Sequence, residues 1–137
     1  MQKRVLLALG YFNPDLYSGI IRYAHDANWI LNTSMIHYGR IPDNWVGDGI
    51  LTFLIRQRED LIRFVDRFPN PVLDFSWDVP ESNVSRVIPN NAAAGRLAAE
   101  HLLERGYRNL ARCLDALGES EAAAEQDRIS RFVEESS

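Results

Sequence analysis

The chain has a single cysteine, Cys113, among its 137 residues, so no disulfide can close within it, and a cytoplasmic setting is the natural expectation. Long apolar runs are missing too. The run Val5–Leu9 falls far short of the ~18–20 residues that a membrane span needs. No small-residue cleavage site follows it, which favours a buried strand over a secretory leader. A basic excess is also lacking: 15 Lys and Arg stand against 19 Asp and Glu, a net charge of −4. Arg56, Arg58, Arg63 and Arg67 alternate with Glu59, Asp60 and Asp66, the pattern of a solvated helix face. Nucleic-acid contact is therefore not expected from this chain.

Several chemistries lack their residues. Gly10 follows the first apolar run, but no G-x-G-x-x-G comes after it and no G-x-x-x-x-G-K-[ST] occurs, so the backbone cradle for a nucleotide phosphate is missing. A phosphoacceptor receiver of the same general architecture needs carboxylates after the first and third strands to hold Mg²⁺; Gly10-Tyr11-Phe12 and Phe53-Leu54 stand there instead. His25, His37 and His101 show no metal-ligand spacing, and no serine sits in a nucleophile elbow. No catalytic residue, metal or cofactor is expected. Cys113 falls in an apolar run and reads as a packing residue.

What is present is globular in composition, with 46% apolar and 25% charged residues, and it alternates short apolar runs with helix-like segments. Val5–Leu9 is a strand buried on both faces. Asn13-Pro14-Asp15 combines an N-cap, a first-turn proline and an acid at the positive end of the dipole, so a helix starts there. Leu16, Ile20, Tyr23, Ala24 and Ala27 recur at helical spacing and should face a sheet. Trp29–Tyr38 reads as a second strand ending at the turn 39–44, and Gly49–Leu54 as a third. Gln57–Phe68 is a helix with Leu61, Val65 and Phe68 on one face, stopped by Pro69-Asn70-Pro71. Val72–Trp77 is a fourth strand, and a short fifth lies near Arg86-Val87-Ile88. Asn91 should cap an alanine-rich helix running to Arg105 and stopped by Gly106. A sixth strand is expected at Leu110–Leu114, then from Glu119 a charged helix with Ile129, Phe132 and Val133 clustered near its end.

Strand–helix alternation with short connections implies an α/β fold of three layers, a parallel sheet flanked by helices, as in a flavodoxin-like or type I periplasmic-binding-protein lobe. Ligands of open α/β sheets sit beyond the carboxyl ends of the strands. That rule selects the residues just after each strand, Tyr11–Asn13, Phe53–Arg56, Ser76–Asp78 and Asn90-Asn91, and among them Phe12, Asn13, Arg56, Ser76, Trp77 and Asn90 are the ligand-binding candidates. Asn13 has two readings: a helix cap alone, or a cap whose amide also meets a sugar hydroxyl. Trp77 is either a stacking platform for the apolar face of a sugar or an aromatic that seals the sheet end. Asn90-Asn91 is either a turn residue plus a cap or part of the site. Amides and aromatics gathered at strand ends suit a small polyol better than a reaction.

The stretch Val87–Ala111 contains Ala94-Gly95, Ala98, His101-Leu102, Gly106 and Leu110-Ala111 in the pattern A-G-x-x-A-x-x-H-L-x-x-x-G-x-x-x-L-A. It resembles the segment by which LacI/GalR-type regulators enter their second lobe. Tyr17–Ala24, Trp45–Leu51 and Pro71–Ser76 resemble the effector domain of XylR-type xylose-operon regulators, and the likeness covers about residues 4–112. The resemblance implies a cytoplasmic regulator that senses a pentose or related sugar between two lobes. Asn13 falls where such activators place a polar sugar contact, usually acidic, and Asn90 where the family pair begins with Asp; both are amides here. Phe53 ends the third strand where a polar group is common.

On this resemblance residues 1–88 are an N-terminal lobe, 89–114 a crossover into an incomplete second lobe, and 115–137 a divergent helix. The family pattern would continue past Arg112, so a truncated sensing domain without a DNA-binding region is expected, binding sugar weakly. The apolar face of the helix after Asn91 should then seek a partner, giving a homodimer through 91–134. The rival reading is a stand-alone oligomerising domain that has lost ligand sensing; a flavodoxin-like enzyme is a third.

Overall fold

The computed structural model describes residues 1–109. The chain divides into two compact units, Met1–Val87 and Ile88–Ser137. In the first unit β1 (Arg4–Leu9), α1 (Pro14–Asp26), β2 (Ile30–Asn32), α2 (Ser34–Tyr38), β3 (Gly49–Phe53), α3 (Glu59–Arg67), β4 (Val72–Asp74) and β5 (Ser85–Arg86) follow one another. The five strands form one sheet in the order β2-β1-β3-β4-β5, with every pair parallel. The second unit contributes α4 (Asn91–Glu104). The expected sixth strand and the helix after Glu119 lie outside the described residues.

The apolar run of β1 explains the layers. Side chains alternate across a strand, so Leu6 and Ala8 join one buried cluster while Leu7 and Leu9 join another. The first cluster adds Met35 of α2, Ile50, and Leu61 and Val65 of α3; the second adds Ile20 of α1. Each large apolar side chain buried in this way contributes roughly 1.5–3 kcal/mol. Thr52, a buried polar residue in β3, is satisfied because its hydroxyl donates to the Ala8 carbonyl at 2.7 Å.

The helix ends follow local chemistry. The Asn13 side chain accepts from the backbone N–H groups of Asp15 and Leu16, both at 3.0 Å, ahead of Pro14 at the first helical position. On α1, Ile20 and Ala24 are buried and Leu16 is half-buried, but Tyr23 and Ala27 are exposed. The buried stripe is therefore narrower than the apolar spacing implied: Tyr23 sets its ring edge-on against Trp29, 5.2 Å away, and stays largely in solvent. In α3 the expected apolar face is present: Leu61 and Val65 are buried, and Phe68 packs on the same core. Glu59 and Asp60 occupy its first turn and Arg67 its last, matching the helix dipole.

Three boundaries differ from expectation. Trp29–Tyr38 is not one strand: β2 ends at Asn32 and α2 begins at Ser34. The Asn32 side chain accepts from Ser34 N–H at 2.9 Å, turning the chain locally, and Gly39 closes α2 in the left-handed conformation at φ 69°. β4 stops at Asp74 rather than Trp77: Phe75 N–H still reaches Thr52 O, but the Asp74 carboxylate accepts from Ser76 N–H and turns the backbone out of the ladder there. The cap of α4 is Asn90, not Asn91: its side chain accepts from Ala93 N–H at 2.9 Å.

Candidate functional site

Because the sheet is wholly parallel, the carboxyl ends of β1, β3, β4 and β5 share one edge. The ladder runs on past the strands there, with Gly10 N–H donating to Phe53 O, Phe75 N–H to Thr52 O and Val87 N–H to Asp74 O, each at 2.9 Å. Gly10 is required at the first of these: a Cβ would lie 2.8 Å from the Phe53 carbonyl oxygen. Its small size brings the loop after β1 down onto the end of β3. Tyr11 then sets its ring 5.5 Å from that of Phe53, and Phe12 sets its ring 5.4 Å from that of Tyr17. Both Tyr11 and Phe12 remain about half exposed, at 55% and 47%.

The loops after β3 and β4 are joined by buried carboxylates. Asp74 is fully buried; one oxygen accepts from Leu54 N–H at 3.1 Å and Ser76 N–H at 3.0 Å, and the other faces Arg86 Nε at 3.4 Å. Arg86 donates onward to the carbonyls of Val79 and Ser82 at 2.6 and 3.3 Å. Burial pushes the Asp74 carboxyl above its usual range, and the two backbone N–H groups and Arg86 only partly oppose it. Asp78, also buried, accepts from Arg56 N–H at 2.8 Å and faces Arg56 Nε at 3.7 Å. Its own N–H donates to the Ser76 hydroxyl at 3.0 Å. The Arg56 guanidinium forks onto Glu81 at 2.7 and 3.2 Å. Glu81 is held below the usual carboxylate range, first by its own backbone N–H and then by Arg56.

Five of the six candidate residues therefore lie along this edge. Phe12 is exposed, Asn13 spends its side-chain oxygen on the cap of α1, and Trp77 is exposed at 41%. Arg56 is tied to Asp78 and Glu81, and Ser76 is buried, with its hydroxyl accepting from Asp78 N–H. Asn90 belongs to the second unit, where it caps α4. Sequence reasoning missed the roles of Asp74 and Arg86 altogether. The only available signal was an aspartate ending an apolar run, which also occurs at ordinary turns. Chemically, the edge offers aromatic faces and fixed hydrogen-bonding groups. The Ser76 hydroxyl serves the backbone and is not paired with a base.

No family model matches the chain. Over 141 residues it is 25% identical to the HTH-type transcriptional repressor PurR of two strains of Aliivibrio fischeri, an alignment spanning 93% of this chain and 40% of theirs. The chain thus spans about two fifths of the length of these curated relatives. A solved structure of a LacI transcriptional regulator from Bacillus cereus subsp. cytotoxis superposes on it with a TM-score of 0.57 at 17% identity, covering 98% of this chain and 53% of the other. The fold is the LacI-type, periplasmic-binding-protein-like α/β fold. Its strand-end edge carries Phe12, Asn13, Arg56 and Trp77 on loops whose course is fixed by Asp74 and Asp78. Among the described residues no helix is long and apolar enough to cross a membrane.

Proposed function

We propose that the chain is an effector-sensing part of a cytoplasmic transcriptional regulator, and that the strand-end edge of the first unit contacts a small sugar. The observation that carries this reading is the set of exposed rings, Tyr11, Phe12 and Trp77, on the carboxyl edge of a parallel sheet, an edge that also carries Asn13 and Arg56. A large ring left half exposed on such an edge is a ready platform for the apolar face of a sugar. The similarity to PurR repressors and to a LacI regulator supports the regulatory class over an enzyme. Xylose or a related pentose is the effector favoured by the likeness of Tyr17–Ala24 and Trp45–Leu51 to XylR-type regulators. In this reading residues 1–88 form the ligand-contacting lobe, 89–114 cross towards a second lobe, and binding shifts the balance between open and closed forms.

Saturation-transfer NMR with D-xylose tests the reading. Transfer to the sugar protons is expected, with weak but saturable binding, and the Trp77→Ala and Phe12→Ala chains should each lose most of it. Equal transfer from wild type and both variants would remove the edge from consideration.

Self-association is the second part of the reading. Leu97 on α4 and Tyr107 just beyond it are both more than half exposed. We read them as part of a homodimer surface within 91–134. Light scattering on wild type and Leu97→Glu checks this: a dimer that the charge weakens is expected, and a monomeric wild-type chain at high concentration would refute it.

A further inference from the structure

A cleft lies along the edge strand β2, beside the amino end of β1. A cavity of about 450 Å³ opens between the first residues of β1, the whole of β2 and the start of α2, with Arg4, Leu31, Asn32, His37 and Trp45 in its wall. Its volume falls in the range typical of small-molecule sites, roughly 300–1,000 Å³. β1 rises ~3.3 Å per residue, so the length of the strand separates Arg4 from the ligand-binding edge beyond Leu9. Nothing in the proposed sugar site draws on these residues.

Every polar side chain of this wall can donate a hydrogen bond, and the hydroxyls of Thr33 and Ser34 can accept one as well. In a chain where acids outnumber bases 19 to 15, the wall includes Arg4 and His37 and no carboxylate. The Arg4 guanidinium has no ion pair or hydrogen bond among the described residues. Asp48, which accepts from Arg4 N–H at 2.7 Å, stands outside the wall and faces Lys3 at 3.7 Å. Asn32 spends its side-chain oxygen on Ser34 N–H, which leaves the amide nitrogen to offer protons. Leu31 supplies an apolar surface, and Trp45 is held in place by its ring contact with Phe68 at 5.4 Å. An unpaired guanidinium and an amide N–H beside an aromatic wall complement a carboxylate carried on a flat or apolar body.

We propose that this cleft binds a small organic carboxylate, with Arg4 as its charge partner and Asn32 as a second donor. The test is a titration of the ¹⁵N-labelled chain with benzoate, read at the Trp45 indole N–H, alongside the neutral isostere benzamide. A saturable shift is expected with benzoate and a much weaker one with benzamide. Loss of a charge-assisted hydrogen bond should weaken benzoate about tenfold or more in Arg4→Gln. Arg4 is exposed, so this variant should keep the wild-type spectrum elsewhere. Asn32→Asp retains the oxygen that accepts from Ser34 but adds a negative charge to the wall, and it too should bind benzoate poorly. The proposal is overturned if the Trp45 indole shows no saturable shift, if benzamide binds as well as benzoate, or if either variant binds benzoate like the wild type.

Discussion

The two ends of the strands are secured by different physics. At the carboxyl end, charges are buried: Asp74 and Asp78 hold the backbones of neighbouring loops, and Arg86 closes the network. At the amino end, the corresponding tie is exposed: Asp48 accepts from Arg4 N–H and meets Lys3 with both side chains in solvent. A loop held by buried charge has one conformation, because every alternative leaves an ion or an N–H unsatisfied in the interior. A loop held by a solvated pair has water as a substitute partner. The contrast predicts that rigidity belongs to the edge proposed to bind sugar. The largest test is Asp74→Ala, which strands Arg86 and orphans the Leu54 and Ser76 N–H groups. It should cost about 3–5 kcal/mol, against about 1 kcal/mol or less for Asp48→Ala, both read by urea unfolding. Similar losses in the two variants would dissolve the distinction.

The protonation of Asp74 sharpens the same contrast. Its native carboxyl is raised, chiefly by burial, so the folded state holds a proton more tightly than the unfolded chain does. The proton-linked part of its contribution to stability is therefore fully present below the ordinary carboxylate value of 3.8 and is lost as pH rises through the raised native value, while its hydrogen bonds to Leu54, Ser76 and Arg86 persist. Comparing wild type with Asp74→Asn across that window cancels the other titrating groups. The stability of the wild type relative to the variant should decline as pH rises and level off above the native value. A difference that instead grew with pH would mean that Arg86 and the two N–H groups outweigh burial.

Helix capping gives the next effect in size, and it bears on what the sequence reveals. Asn13→Ala removes an acceptor for two N–H groups and should cost about 1 kcal/mol, checked by thermal unfolding; Asn13→Asp should keep most of it. This cap was legible because every part of it lies within a few residues: Asn13, Pro14 and Asp15 announce α1 before any tertiary contact is considered. β1 was legible for the same reason, since a continuous apolar run implies burial on both faces. Short-range polar chemistry hid the β2–α2 break: Asn32-Thr33-Ser34 interrupts an otherwise apolar stretch, and the turn made by Asn32 outweighs strand propensity there. The strand-end edge was only half legible. Its members on the loops follow from the rule for parallel sheets, which singles out Phe12, Asn13, Arg56 and Trp77. The residues that fix its shape did not, because Asp74 pairs with Arg86 twelve positions away and with Leu54 twenty away. Linear charge patterns cannot distinguish such a pair from two solvated side chains.

The smallest effect probes the amino end directly. Lys3 and Asp48 approach to 3.7 Å with side chains 59% and 42% exposed. Water and salt compete for both charges, and holding the long lysine in one geometry costs side-chain entropy. Lys3→Gln should therefore change the unfolding free energy by no more than about 0.5 kcal/mol, with the difference fading as salt is added. Because Asp48 keeps its bond to Arg4 N–H in the variant, any larger loss would trace to the ion pair itself. A salt-sensitive loss above about 1 kcal/mol would mean that charge also secures the amino end. The cleft beside Arg4 would then lie in a pre-ordered frame, and less order would have to be imposed on it when a carboxylate arrives.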